Sequence, residues 1–101
     1  MGEHFNGLTP GEAERLAMLS EECSEVIQVI GKILRHGYAS HHPDDPTTTN
    51  LHLLIKELRD VNAVLQAMGK GELINADLTD PFGSVWKKKL RYTHHQEAAN
   101  G

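Results

Sequence analysis

The sequence of 101 residues predicts an all-α fold: an antiparallel helical hairpin with a short additional C-terminal helix, oligomerising into a helical bundle. Three observations predict it. Apolar residues recur at spacings of three and four through two long segments. Each segment opens and closes on capping residues. No stretch shows the strict alternation of a half-buried strand.

The first helix is expected over about residues 10–36. Thr9-Pro10-Gly11-Glu12 supplies an N-cap hydroxyl, a proline at the first helical position and a Glu three residues after the cap, which is a capping box. Leu16, Leu19, Cys23, Val26, Ile27, Ile30, Ile33 and Leu34 then form the stripe of an amphipathic helix facing a core. Lys32, Arg35 and His36 suit the negative end of the helix dipole, and Gly37 is a natural stop. Residues 37–49 read as a loop, with two prolines in His41-His42-Pro43-Asp44-Asp45-Pro46 and three threonines after it. The second helix, about residues 50–69, starts at Thr49 or Asn50 and turns Leu51, Leu54, Leu58, Val61, Leu65 and Met68 inward. Asp80-Pro81 opens a third, shorter helix over about 81–93 that carries Trp86, Leu90 and Tyr92; the tail beyond it is expected to fray.

Length and composition restrict the function classes. The chain is one domain, residues 1–101, and a chain of this size buries only roughly 60–65% of its unfolded surface, so self-association is expected. A formal charge of −4 is not the basic footprint of a protein that coats nucleic acid. No apolar run approaches the roughly 18 residues that span a membrane, and Met1-Gly2-Glu3-His4 lacks the layout of a signal peptide. The single cysteine, Cys23, has no internal partner for a disulfide. A soluble, cytoplasmic protein is expected.

The chemistry emerges when the two long helices are set against each other with an offset of 35 residues. Met18, Glu22, Glu25 and Val29 then fall on Leu53, Glu57, Asp60 and Val64. Each helix presents the same stripe, apolar, acid, acid, apolar, within about 60° of its surface and about 100° from the centre of its main apolar face. Both acid pairs lie roughly 12–15 Å from the connecting loop, so an antiparallel hairpin brings them to one level. Four carboxylates in a partly buried space cannot all stay ionised without a counter-charge. A hard divalent cation with oxygen ligands is the usual solution, Mg²⁺ above all, with Mn²⁺ a substitute. The bland reading is a solvated face whose acids pair with Lys56, Lys32 or Arg59; the doubled stripe at matching depth weighs against it. Glu21 projects onto the polar side with Glu14, Gln28 and Lys32.

Glu21-Glu22-Cys23-Ser24-Glu25 followed by Glu57-Leu58-Arg59-Asp60 resembles the E-E-x-x-E … E-x-x-D signature of the MazG-like, all-α nucleoside triphosphate pyrophosphohydrolases, small phage and bacterial members in particular. The stretch ending Lys32-Ile33-Leu34-Arg35-His36-Gly37 adds to the likeness, which covers roughly residues 12–70. The spacer between the two motifs is longer than is usual in that family, and the extra length lies in the His/Pro/Asp/Thr loop.

The resemblance implies Mg²⁺-dependent hydrolysis of a nucleoside triphosphate, ribo- or deoxyribo-, between the α- and β-phosphates. It implies Glu22, Glu25, Glu57 and Asp60 as metal ligands and Glu21 or Glu25 as the carboxylate that takes a proton from the attacking water. It also implies a dimer or tetramer. Candidates for holding the substrate are Lys32, Arg35, Lys87 and Lys88, with Asn62, which interrupts the apolar face, as a buried amide that contacts the nucleotide or orients a carboxylate. Trp86 and Tyr38 are candidates to stack on a base.

Competing readings are weaker. A di-iron bundle wants Glu-x-x-His on two helices, where this chain has Glu25 and Asp60. The paired histidines His41-His42 and His94-His95 lack the spacing of a zinc site. The remaining alternative is a non-catalytic helical module that binds a metal or a nucleotide and uses the acid stripes for assembly.

Overall fold

The computed structural model describes residues 6–69 and 78–96. It contains three helices, α1 (Pro10–His36), α2 (Asn50–Gly69) and α3 (Ser84–Leu90), in an all-helical arrangement. No helix among the described residues is long and apolar enough to cross a membrane.

The capping box forms as the residue types require. The Thr9 hydroxyl accepts from the Glu12 backbone N–H at 3.1 Å, and the Glu12 carboxylate accepts from the Thr9 N–H at 2.8 Å. That pair holds the Glu12 carboxyl below its ordinary range. At the other end Gly37, at φ 87°, donates its N–H to the Ile33 carbonyl at 2.7 Å, a conformation that favours glycine. A second reciprocal cap starts α2, with His52 in the place of the usual Glu: the His52 N–H donates to the Thr49 hydroxyl and the Thr49 N–H to His52 Nδ1.

The hairpin is clamped at its loop end. Asn50 is buried and donates its side-chain amide to the Gly37 carbonyl at 3.1 Å. Its backbone N–H reaches the Ser40 carbonyl at 2.8 Å, and the Leu51 N–H reaches the Tyr38 carbonyl at 3.1 Å. An antiparallel bridge pairs His41 with Thr49. The 37–49 segment is therefore an ordered turn structure that welds the end of α1 to the start of α2.

α1 and α2 pack against each other, and the face they use differs from the face with the largest apolar surface. Among the described residues the buried apolar ones are Val29, Val64 and Met68, all on or beside the acid stripes. Leu16, Ile27, Ile30 and Leu34 of α1 and Leu51 and Leu58 of α2, expected inward, are exposed; Ile27 is 68% and Leu34 82% accessible. Leu19, Val26, Ile33, Leu54, Val61 and Leu65 are half-buried at the boundary. The reason is geometric. A two-helix contact covers one narrow strip per helix, and here that strip is Glu22–Glu25–Val29 against Leu53–Glu57–Asp60–Val64–Met68, while Met18, one turn further along α1, is exposed. In an antiparallel pair the broad apolar faces then turn to the same side of the hairpin, uncovered. Asn62 belongs to that outer side and is exposed rather than buried.

The third helix is shorter than the 81–93 expected. Gly83, at φ 66°, closes a turn by donating its N–H to the Asp80 carbonyl, and the helix begins only at Ser84. Asp80 still acts as the cap, its carboxylate accepting from the Val85 and Trp86 N–H groups at 3.2 and 3.1 Å. Among the described residues α3 makes no packing contact with α1 or α2.

Replacing Asn50 with Ala should remove the clamp and strand the Gly37 carbonyl. Urea unfolding should show a loss of about 1–2 kcal/mol relative to the unaltered chain. No change in midpoint would mean that the side-chain bond does not hold the two helices together.

Candidate metal centre

The acid stripes meet at the seam of the hairpin. One oxygen from each of Glu22, Glu25, Glu57 and Asp60 lies within 4.8 Å of the others, and all four residues are partly buried. Helical spacing produces this: i and i+3 on each helix share a face, and the clamp at Gly37 and Asn50 fixes the two pairs at the same height.

The electrostatics are unfavourable for four bare carboxylates. Oε2 of Glu22 and Oε2 of Glu57 are buried and have no hydrogen-bond partner. The Glu57 side chain is only 13% exposed. One ammonium answers this charge: Lys56 Nζ lies 3.2 Å from Asp60 Oδ2 and 3.5 Å from Glu57 Oε1. Asp60, followed by Glu57, holds the Lys56 ammonium above its ordinary range. Glu25 moves the other way from an ordinary acid. Its hydrogen bond with Glu57, the charge of Glu22 and loss of water push its carboxyl from 4.5 to about 6.

These residues fit a hard divalent cation. The donor set is all oxygen, two of the oxygens are desolvated and unpartnered, and the charge present exceeds what Lys56 neutralises. Oxygens on opposite sides of a Mg²⁺ ion stand about 4.2 Å apart, so the gathered set needs only a small contraction to hold it, and less for the larger Mn²⁺. No His or Cys joins the group, which suits a hard, oxygen-seeking cation more than iron or zinc.

The other predicted residues are distributed unevenly. Glu21 is exposed, outside the converging set. Lys32 lines a groove of about 360 Å³ beside the cluster, together with Glu25, Gln28, Leu53, Lys56 and Glu57. Lys32 also lines a second cavity of about 390 Å³ under the loop, where it is joined by Arg35. Asn62 borders neither, nor do Lys87 and Lys88, which lie on α3. The loop cavity itself, with Ser40, His41, His42 and Thr48 on its wall, went unanticipated. Its only sequence signal was the density of hydrogen-bonding side chains in a long spacer. No protein-family model matches this chain, and no curated protein or solved structure matches it either.

The raised Glu25 carboxyl has a pH signature in metal-free protein. A group that binds its proton more tightly in the fold than in the unfolded chain stabilises the fold fully below about pH 4.5. That stabilisation is lost as the pH rises through about 6. The melting temperature of the unaltered chain, taken relative to Glu25→Gln, should therefore fall across this window, and Mg²⁺ should suppress the fall. A flat difference between the two proteins would show that Glu25 does not feel its neighbours.

Proposed function

We propose that this chain is a Mg²⁺-dependent nucleoside triphosphate pyrophosphohydrolase that works as a homo-oligomer, converting an NTP or dNTP to the monophosphate and pyrophosphate. The observation that carries the reading is the convergence of Glu22, Glu25, Glu57 and Asp60, with two buried oxygens lacking any partner, beside a groove that Glu25 and Glu57 line together with Lys32 and Lys56. Carboxylates that gather a cation beside lysine ammonium groups suit a ligand that is polyanionic and metal-bound, as a triphosphate is. The likeness of Glu21–Glu25 and Glu57–Asp60 to the MazG-like signature supports the same choice and supplies the bond that is cleaved.

In this reading Glu22, Glu25, Glu57 and Asp60 hold Mg²⁺, or Mn²⁺ in its place. The ion, when bound, neutralises phosphate charge and acidifies a water. The chain's own residues do the rest. Lys32 and Lys56 draw the phosphates onto the groove floor. A water oxygen forms a bond to the α-phosphorus, and the bridging oxygen leaves with its electron pair on pyrophosphate. The water's proton passes to a carboxylate oxygen outside the converging set, the second oxygen of Glu25 or the exposed carboxylate of Glu21.

The uncovered apolar side supports the oligomer. Three buried apolar residues among those described are a small core for a free-standing hairpin. Leu16, Ile27, Ile30, Leu34, Leu51 and Leu58 form a surface on one side, opposite the polar side that carries Lys32 and Lys56. A second copy covering the apolar side leaves the groove open to substrate.

The activity is tested by incubating the protein with Mg²⁺ and a panel of ribo- and deoxyribonucleoside triphosphates and measuring monophosphate and pyrophosphate. Glu57→Gln should lower turnover by at least about a hundredfold. Metal binding without cleavage of any triphosphate would remove the enzyme reading and leave a binding module. For the assembly, light scattering should give a multiple of 11.2 kDa for the unaltered chain. Ile27→Glu should shift the mass towards a single chain, whereas an unchanged mass would place the interface elsewhere.

A further inference from the structure

We propose that the cavity under the 37–49 loop is an anion subsite that takes the two terminal phosphates of the substrate, the pair that departs as pyrophosphate, with Lys32 and Arg35 as its cations. This rests on the pyrophosphohydrolase reading above and assigns the leaving group a place within it.

The cavity is contiguous with the carboxylate groove, since Lys32 and Leu53 line both. A chain of phosphates with its α-phosphorus over the carboxylates therefore has a protein-lined path toward the loop. The charge in that direction is positive and unspent. Neither Lys32 nor Arg35 has an ion pair or side-chain hydrogen bond among the described residues, although an acid, Asp45, lines the same cavity. Asp45 is satisfied within its own turn. Its carboxylate accepts from the Thr47 hydroxyl at 2.8 Å, and bonds from Thr48 and Thr47 hold it below the usual range. The one acid of the lining thus leaves the two cations free for a ligand.

Arg35 is also placed for the task. Its guanidinium folds back over Gly31, where an added Cβ would stand 3.4 Å from Nη1. The absence of a side chain at Gly31 lets the planar fork rest along α1, one turn back toward the carboxylates. Arg35 lines the cavity, and a planar fork turned into it can meet two phosphate oxygens at once. Opposite it the loop is held by the Asn50 clamp and the His41–Thr49 bridge, so the wall does not have to be ordered by the ligand. His42 Nδ1 accepts from the Asp44 N–H at 3.1 Å, which puts the ring proton on Nε2 as a further donor.

The chemistry gives these cations a purpose at the moment of cleavage. As the water oxygen bonds to the α-phosphorus and the bridging bond breaks, negative charge grows on the departing pyrophosphate. Cations already seated around that end oppose the growth where it occurs. A neutral base in the same cavity would leave Lys32 and Arg35 unmatched.

The test uses the full chain freed of metal on a chelating resin and titrated with inorganic pyrophosphate, followed by amide NMR and calorimetry. Saturable shifts confined to residues 32–36 and 40–48 are expected. Lys32→Ala and Arg35→Ala should each weaken binding about tenfold or more, and Arg35→Lys should recover only part of the loss because it lacks the fork. Both positions are exposed on α1, and circular dichroism checks that the helices persist. Shifts that do not saturate, or binding unchanged in Arg35→Ala, would overturn the subsite and leave Arg35 a partner of the helix dipole alone. A nucleoside without phosphates that moves the loop amides where pyrophosphate does not would overturn it in favour of a base pocket. The two proposals fail separately. Pyrophosphate bound at the loop with no triphosphate cleaved upholds the anion site but sinks the hydrolase and with it the leaving-group role, and cleavage without loop binding overturns the subsite alone.

Discussion

The hairpin is organised around a repulsion. Its two helices meet along strips that each carry two carboxylates, and the meeting strips desolvate Glu22 and Glu57 enough to leave an oxygen of each unpartnered. Like charges brought out of water are unfavourable unless something answers them. Lys56 answers part of it through Asp60 and Glu57, and a proton on Glu25 answers another part below about pH 6. The rest of the deficit is what makes the seam receptive to a small, highly charged cation.

Placing the acids at the seam decides what happens to every other face. With Glu22, Glu25 and Val29 turned toward α2, the broad apolar surface around Ile27 and Leu34 is carried to one side and the basic residues Lys32 and Arg35 to the other. The two sides then have different solvents. One is suited to another protein surface and the other to a charged ligand, and the carboxylates lie on the line between them. Carboxylates, basic side chains and bare apolar surface are separated by helix rotation alone.

Much of this was legible in the residues. Thr9 and Glu12 mark the start of α1, Gly37 its end, and the 35-residue offset by itself sets four carboxylates at a common height. Which stripe would face inward was not legible, because helical periodicity reports how much apolar surface a helix has, not how much of it a single neighbour can cover. The two asparagines illustrate the gap. Asn62 interrupts an apolar stripe yet is exposed, since that stripe has no cover within the chain, whereas Asn50 sits at a helix start and is buried because the chain folds back over it. Gly83 trimmed the third helix by closing a turn that Asp80 caps from upstream, a cap at a distance that spacing rules do not anticipate. The loop cavity is tertiary in origin and needed the clamp to exist.

That clamp divides the connecting segment into two parts with different freedoms. Gly37, Ser40 and Asn50 set the register of the helices, and a slip of one residue there would rotate an acid pair by about 100° out of the seam. Between the bridged residues His41 and Thr49 the chain forms a closed excursion whose ends are already joined. Residues 42–48 can therefore be lengthened, shortened or exchanged without transmitting any displacement to the carboxylates. The hairpin works like a fixed tool-holder with an exchangeable bit: the cavity wall is free to diverge while the carboxylate seam stays constant.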